Sequence, residues 1–230
     1  MKIRTFTLMA LCACSFASAW GQGHNELPSL PYLSMSEQSV WLLDYASIRD
    51  ALALSAPESK AVDAASAAYE EEQKRLGAKA SDAQVESADH AHAKAVLNAL
   101  SAAHRDRLFQ IMLQARGAEA FVDKTIAKRV GLTPAEDSQI HELLERADKR
   151  EDDFEADLAK RILAVPRIAP KSAYEKRRAD VIAAAKPQRL ALEKARAADE
   201  AKAIGLLSKE QKARWKEMLG TPFPLVHYKD

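Results

Sequence analysis

The chain has 230 residues, with 34 Lys and Arg against 33 Asp and Glu; 47% of its residues are hydrophobic but only 6% are aromatic. A formal charge of +1 gives no global electrostatic footprint for nucleic acid, and so few rings spread the buried area thinly along helices instead of into a thick core. Charged residues at 29% with only 7 Gly match the composition of long helices or coiled coils.

The amino terminus reads as an export signal. Lys2 and Arg4 form a positive start, Phe6 to Cys14 an apolar run too short to span a bilayer, and Ala17-Ser18-Ala19 a small-residue cleavage site, so 1–19 is a signal peptide cut after Ala19. Leu11-Cys12-Ala13-Cys14 also has the form of a bacterial lipobox, which makes Cys14 the lipidated first residue and that lipid the chain's only link to a membrane. Both routes stay open, and both place the chain outside the cytoplasm, in the periplasm if the source is bacterial. The two cysteines, Cys12 and Cys14, lie in this leader, so the processed chain relies on packing without disulfides or thiolate metal sites.

Residues 20–33 carry Gly21, Gly23, Pro28 and Pro31 without helical period and form an extended tether. The all-helical domain follows over 34–220, in two parts, 34–100 and 101–220. Its first helix is expected from Met35 to Ala53, its second from Ala56 to Leu76 with Val62, Ala65, Tyr69 and Leu76 on one face and Gly77 as stop. Ser81 with Gln84 is a capping box opening a third helix with Val85, Ala88, Val96 and Leu100 on its face. A fourth follows Ser101 to near Gly117, and a short one spans Phe121 to Val130. The long sixth helix carries Ile140, Leu144, Ala147, Phe154, Leu158 and Val165 and is stopped by Pro166 and Pro170. Ser172 with Glu175 starts the returning arm of a hairpin, which Pro187 should kink or break. The last helix runs from Lys209 to Leu219, and 221–230 form an extended tail held by Pro222 and Pro224. The expected fold is all-α: elongated antiparallel hairpins with Ala-rich, coiled-coil-like packing.

One pattern recurs at five helix starts: a Leu, then Ser or Thr, then Glu, Gln or His three residues on, then a large apolar residue four further. The copies are Leu33-Ser34 with Glu37 and Trp41; Leu54-Ser55 with Glu58 and Val62; Leu100-Ser101 with His104 and Leu108; Leu132-Thr133 with Glu136 and Ile140; and Leu207-Ser208 with Gln211 and Trp215. The hydroxyl caps a free first-turn amide, and the acid or amide side chain reaches back to the cap's own amide. Gly131 and Gly205 are placed to end the preceding helices in left-handed geometry. The irregular intervals argue against a regular solenoid.

Leu207-Ser208-Lys209-Glu210-Gln211, and more loosely Leu132-Thr133-Pro134-Ala135-Glu136, resemble the Leu-Thr-x-x-Gln motif of the Spy/CpxP family of bacterial periplasmic proteins. The likeness centres on residues 100–219, with Ser replacing Thr and Glu or His replacing Gln at most copies. It implies a small helical protein, often a homodimeric cradle, of a group that includes ATP-independent chaperones and envelope-stress regulators. The motif is structural, so it implies no catalytic residue.

Charge divides the long hairpin. From Glu142 to Asp157 acidic residues outnumber basic ones eight to three, and from Lys160 to Arg196 basic ones outnumber acidic ones eleven to three. Two readings compete: the arms pair and fix register, or the basic arm offers a surface to acidic clients, unfolded chains or anionic headgroups. His90 and His92, with Glu86, suggest a metal site, but residues two apart on a helix face different ways. Trp41 and Trp215 read as core rings at equivalent positions. With no phosphate loop, nucleophile elbow or zinc-protease motif in the sequence, the reading is a cofactor-free binding protein and not an enzyme. It holds partly unfolded envelope proteins; the alternatives are an envelope adaptor with one fixed partner, or a metal sensor.

Overall fold

Reciprocal caps set where the helices begin. At Ser34, Ser55, Ser81 and Thr133 the hydroxyl accepts the amide three residues on, while Glu37, Glu58, Gln84 and Glu136 accept the cap's own amide. A computed structural model describes residues 33–166 and 171–223; the leader with Cys14, the tether up to position 32, residues 167–170 of the hairpin turn, and the tail from Pro224 lie outside the described residues.

The first expected helix is in fact three pieces. Helix α1, Met35–Gln38, passes into a 3-10 turn, Ser39–Asp44, and after the extended Tyr45 helix α2 runs Ala46–Leu52. Val40, Leu42, Leu43, Ile48 and Leu52 are all buried there. In one straight α-helix those five would point around the whole circumference, and the break at Tyr45 lets them share an interior. Ala53 then adopts a left-handed conformation with φ 50°, a position where glycine is the usual residue.

Helix α3, Ala56–Leu76, matches its expected bounds, and helix α4, Asp82–Ala99, begins at its expected capping box but ends before Leu100, which is extended; Gly77 stands between them at φ 63°. Glu58 at the start of α3 meets Ser101 just past the end of α4, so the two arms run antiparallel. Helix α5, Ala102–Arg116, leads into a second 3-10 turn, Gly117–Val122. Helix α6, Lys124–Val130, begins later than the expected Phe121, because the Asp123 carboxylate accepts the amides of Thr125 and Ile126 and is the true cap. Gly131, at φ 82°, closes it as expected.

Helix α7, Pro134–Leu163, and helix α8, Lys171–Leu206, form the long antiparallel pair, and helix α9, Lys209–Leu219, ends the series. Four expectations need correction here. Val165 lies beyond the end of α7, and Ser172 lies inside α8, so it is not that helix's cap. Pro187 does not break α8, which runs through it from Lys171 to Leu206; Pro187 and Ala183, whose carbonyl loses its i+4 amide donor, are both exposed residues, so the irregularity lies away from the seam. Gly205 is helical and has no positive φ, the helix ending instead at Leu206.

The described residues divide into two compact units, 33–115 with 219–223, and 116–166 with 171–218, parting after Ala115 and not at the 100/101 step of the motif. In the first, Gln114 pins the chain end: its Nε2 donates to the carbonyls of Leu219 and Thr221, and its Oε1 accepts the Phe223 amide. Towards the hairpin turn the long arms of the second pack Phe154, Leu158 and Ala185, flanked by Ile162, Val181 and Leu192, and nearer the other end Leu144 and Ala147 of α7 and Ala203 of α8 are also buried. Large fully buried side chains cluster instead around the corners, such as Leu42, Leu43 and Ile48 in one unit and Phe121, Ile126 and Ile140 in the other. The described residues contain no strand, and no helix among them is long and apolar enough to cross a membrane.

Candidate functional site

The five motif copies do not act singly. Glu58 bonds through Oε2 to its own cap at Ser55, and through Oε1 it accepts the Ser101 amide at 2.8 Å and meets His104 Nδ1 at 2.8 Å. His104 therefore does not close its own box; the acid of the second copy supplies the reach-back of the third. These bonds, led by the Ser55 hydroxyl and the Ser101 amide, hold the Glu58 carboxyl far below the usual carboxylate range. In the other unit Gln211 accepts the Ser208 amide at 2.7 Å and donates from Nε2 to the Gly131 carbonyl and to Glu136 Oε2, each at 2.8 Å, which locks the fifth copy to the fourth. The first copy pairs elsewhere, with Glu37 Oε1 2.8 Å from His90 Nδ1.

This pairing exposes a repeat that the motif intervals conceal. Each unit has the same order of parts: a 3-10 turn, an extended cap, a seven-residue helix, a left-handed residue, and a Leu-Ser/Thr-x-x-Glu start. Ser39 and Gly117, Ala53 and Gly131, and Glu58 and Glu136 stand at one constant interval. Leu33, Leu100 and Leu207 are buried and Leu54 and Leu132 half-buried, with Val62, Leu108, Ile140 and Trp215 buried two turns on. The motif residues are thus joints between helices, and their polar atoms are engaged with one another.

The histidines part company as helical geometry requires. His90 is on the surface with Glu37, whereas His92 is buried, stacked on Tyr69 with ring centroids 4.5 Å apart and met edge-on by Trp41 at 5.5 Å. Tyr69 donates to Asp89 at 2.6 Å. Trp41 is half-buried in this cluster, while Trp215 is buried against Phe121. Among the described residues no group of three His, Cys, Asp or Glu could hold a metal ion.

Burial pushes the His92 imidazole below its ordinary range, against a bond to the Ala65 carbonyl and the charges of Asp44 and Asp89; its Nδ1 has no hydrogen-bond partner. The unfolded chain therefore takes up this proton first, and stability falls as pH drops below about 6.5. Urea midpoints at pH 7.5 and 5.5 should differ, and His92→Phe should narrow the difference; an unchanged difference in the variant excludes His92 as its source.

Charge on the long pair serves two purposes on different faces. Inward, Arg189 bonds Glu155 at 2.6 Å, Arg196 reaches Glu151 at 2.6 Å and Asp148 at 3.2 Å and also pairs with Glu119, and Arg150 pairs with Asp199. Outward, α8 presents Ile182, Lys186, Leu190 and Lys194 at four-residue spacing, and beside them Ala179, Ala183, Pro187 and Ala191, whereas Arg178, one step before Ile182, is half-buried over the Tyr174 ring. Ile182 and Leu190 are 44% and 47% exposed, large values for aliphatic side chains on a packed helix. No carboxylate lies in either row; Glu193 flanks them on the seam side and Asp180 on the far side. Sequence reading named the basic stretch but not this face, because only the pairing of Arg189 and Arg196 shows which cations remain outward.

No family matches this chain, and neither a curated protein nor a solved structure is similar to it at a significant level.

Proposed function

We propose that this chain is an exported, cofactor-free helical binding protein that holds partly unfolded polypeptides without nucleotide, similar to the ATP-independent chaperones of the Spy/CpxP family that its helix starts resemble. One observation carries the reading: the outer face of α8 alternates exposed aliphatic side chains with cations that have no ion-pair partner among the described residues, on a low ground of Ala. Exposed apolar groups give reversible contact with unfolded segments, and the cations raise the encounter rate with acidic ones. The leader supports an envelope location, and the capping role of the Ser, Thr, Glu and Gln side chains gives no reason to assign them a chemical step.

A reduced, unfolding test protein should aggregate more slowly when the processed chain is present at several-fold molar excess, and the protection should weaken in high salt. No protection at that excess overturns the reading. A single partner in cross-linked envelope extracts, without general protection, indicates an adaptor instead.

A further inference from the structure

The ion pairs that close one edge of the α7/α8 hairpin stop short of its turn. Asp148 bonds Arg196 at 3.2 Å and, seven residues nearer the turn on both helices, Glu155 bonds Arg189 at 2.6 Å. One further step of seven sets Ile162 opposite Ile182, so aliphatic side chains stand where the ladder calls for charges. Ile162 packs on the seam, whereas Ile182 is 44% exposed. Leu163, in one four-residue row with Glu155 and Ala159, is 79% exposed, the largest value for a big hydrophobic side chain among the described residues. A leucine so placed contributes little to packing.

The charges around this end have one sign. Between Leu158 and Ala179 the described residues hold six cations and a single carboxylate, Glu175, which Lys171 pairs at 3.5 Å. The first turn of α8 has no acidic residue, unlike those of α3, α7 and α9, so the cations there gain nothing from the helix dipole. Lys160 stands one turn from Leu163 and Lys186 one turn from Ile182, both exposed and on the side away from the hairpin turn. Each lysine stem can lie along its aliphatic neighbour while the ammonium stays in a polar layer.

These features select among partners. A second copy of this chain brings the same cations and is repelled. A polypeptide segment needs a groove, but here the unit is two helices wide and its aliphatics protrude instead of lining a wall. A bilayer rich in anionic headgroups accepts a convex end of this kind, apolar at its crest and basic at its flanks. We infer that the turn end of the α7/α8 hairpin docks on an anionic bilayer surface, with Leu163 and Ile182 entering the acyl boundary and Lys160 and Lys186 at the headgroup phosphates. This contact is independent of any lipid on Cys14 and of the hold on unfolded chains. Ile182 and Lys186 also belong to the outer face of α8, whereas Leu163 and Lys160 belong to the turn end alone, so the last two carry the test.

The chain from residue 20 onward should co-sediment with vesicles of equal parts phosphatidylglycerol and phosphatidylcholine, and not with phosphatidylcholine alone. Leu163→Ser should weaken this about tenfold and Lys160→Gln about fivefold, while Lys94→Gln, which removes the same charge from an exposed site on α4, should change nothing. That stretch of chain has no cysteine, so Leu163→Cys accepts one environment-sensitive dye, whose emission should shift to the blue on the anionic vesicles; the same dye at Ala67→Cys should not respond. Equal sedimentation with both vesicle types, full binding by Leu163→Ser, or no shift from the dye at position 163 overturns the inference. Protection of the unfolding test protein that persists in Leu163→Ser, with vesicle binding lost, separates this contact from the client role. Loss of protection in Leu163→Ser and Lys160→Gln, with no vesicle binding by the wild type, assigns the turn end to polypeptide clients and excludes the bilayer.

Discussion

Phe121→Ala should cost about 3–5 kcal/mol of stability, the largest loss expected from one truncation in this chain. Phe121 is fully buried in the second 3-10 turn and packs on Trp215 with ring centroids 4.7 Å apart. The seam of the long arms near the hairpin turn holds one buried ring, Phe154, with Leu158 and Ala185, so the largest fully buried side chain lies at the corner and not in the arms. Phe121 and Trp215 belong to one unit and come from separate elements, so a cavity there removes contacts from more than one element of that unit at once. Urea unfolding followed by far-ultraviolet circular dichroism measures the change, and red-shifted tryptophan emission should accompany it. A loss below about 1 kcal/mol contradicts the view that corners and not arms carry the stability.

Arg196→Met should be the second large effect, at about 1–3 kcal/mol, a range that allows for the partial exposure of the groups involved. The Arg196 side chain is 20% exposed and faces Glu119, Asp148, Glu151 and Glu200. Burial already holds Glu200 above the usual carboxylate range, and Arg196 opposes that rise. Without the guanidinium four carboxylates confront one another, and their folded-state proton affinities rise. At those carboxyls the folded variant then binds more protons than folded wild type, so its deficit relative to wild type should shrink as pH falls from 7 to 5. Its loss should also shrink in high salt, which screens the remaining repulsion. Thermal melts of wild type and variant across that range decide it; parallel pH profiles contradict the account.

How much of this was legible in the sequence follows from what local chemistry can specify. The bounds of α3, α4 and α9 are set by residues within a few positions of each end, such as Ser55 with Glu58 and Ser81 with Gln84, and they were readable as caps. The break of the first expected helix was not, because Val40, Leu42 and Leu43 are helix-compatible residues whose turn inward is dictated by the interior they join. Gly205 and Pro187 misled for a related reason: each weakens a helix locally, yet the antiparallel contact with α7 holds α8 together through both. His104 was legible as a variant of the motif, but its dependence on Glu58 spans 46 residues, which no local pattern encodes. The same holds for the outer face of α8. Composition marked the arm as basic, and only the long-range partners of Arg189 and Arg196 separate the cations that hold register from those left for a ligand.

The repeat was hidden by length. The first copy opens a helix of 4 residues and the third one of 15, so intervals measured between motifs look irregular. Once each copy is assigned to its joint, the order of parts in the two units is the same, and the two long pairs differ in what their surfaces offer. The outer face of α8 carries the exposed aliphatics Ile182 and Leu190 beside Lys186 and Lys194, and no large hydrophobic side chain of α3 or α4 is comparably exposed.

Site-specific photo-cross-linking compares the two pairs directly. A photoreactive residue at Ala183, on the outer face of α8, should capture an unfolding test protein, while the same residue at Ala67, an exposed alanine of α3, should capture little. Equal capture at both positions, or capture at Ala67 alone, contradicts a binding face on α8.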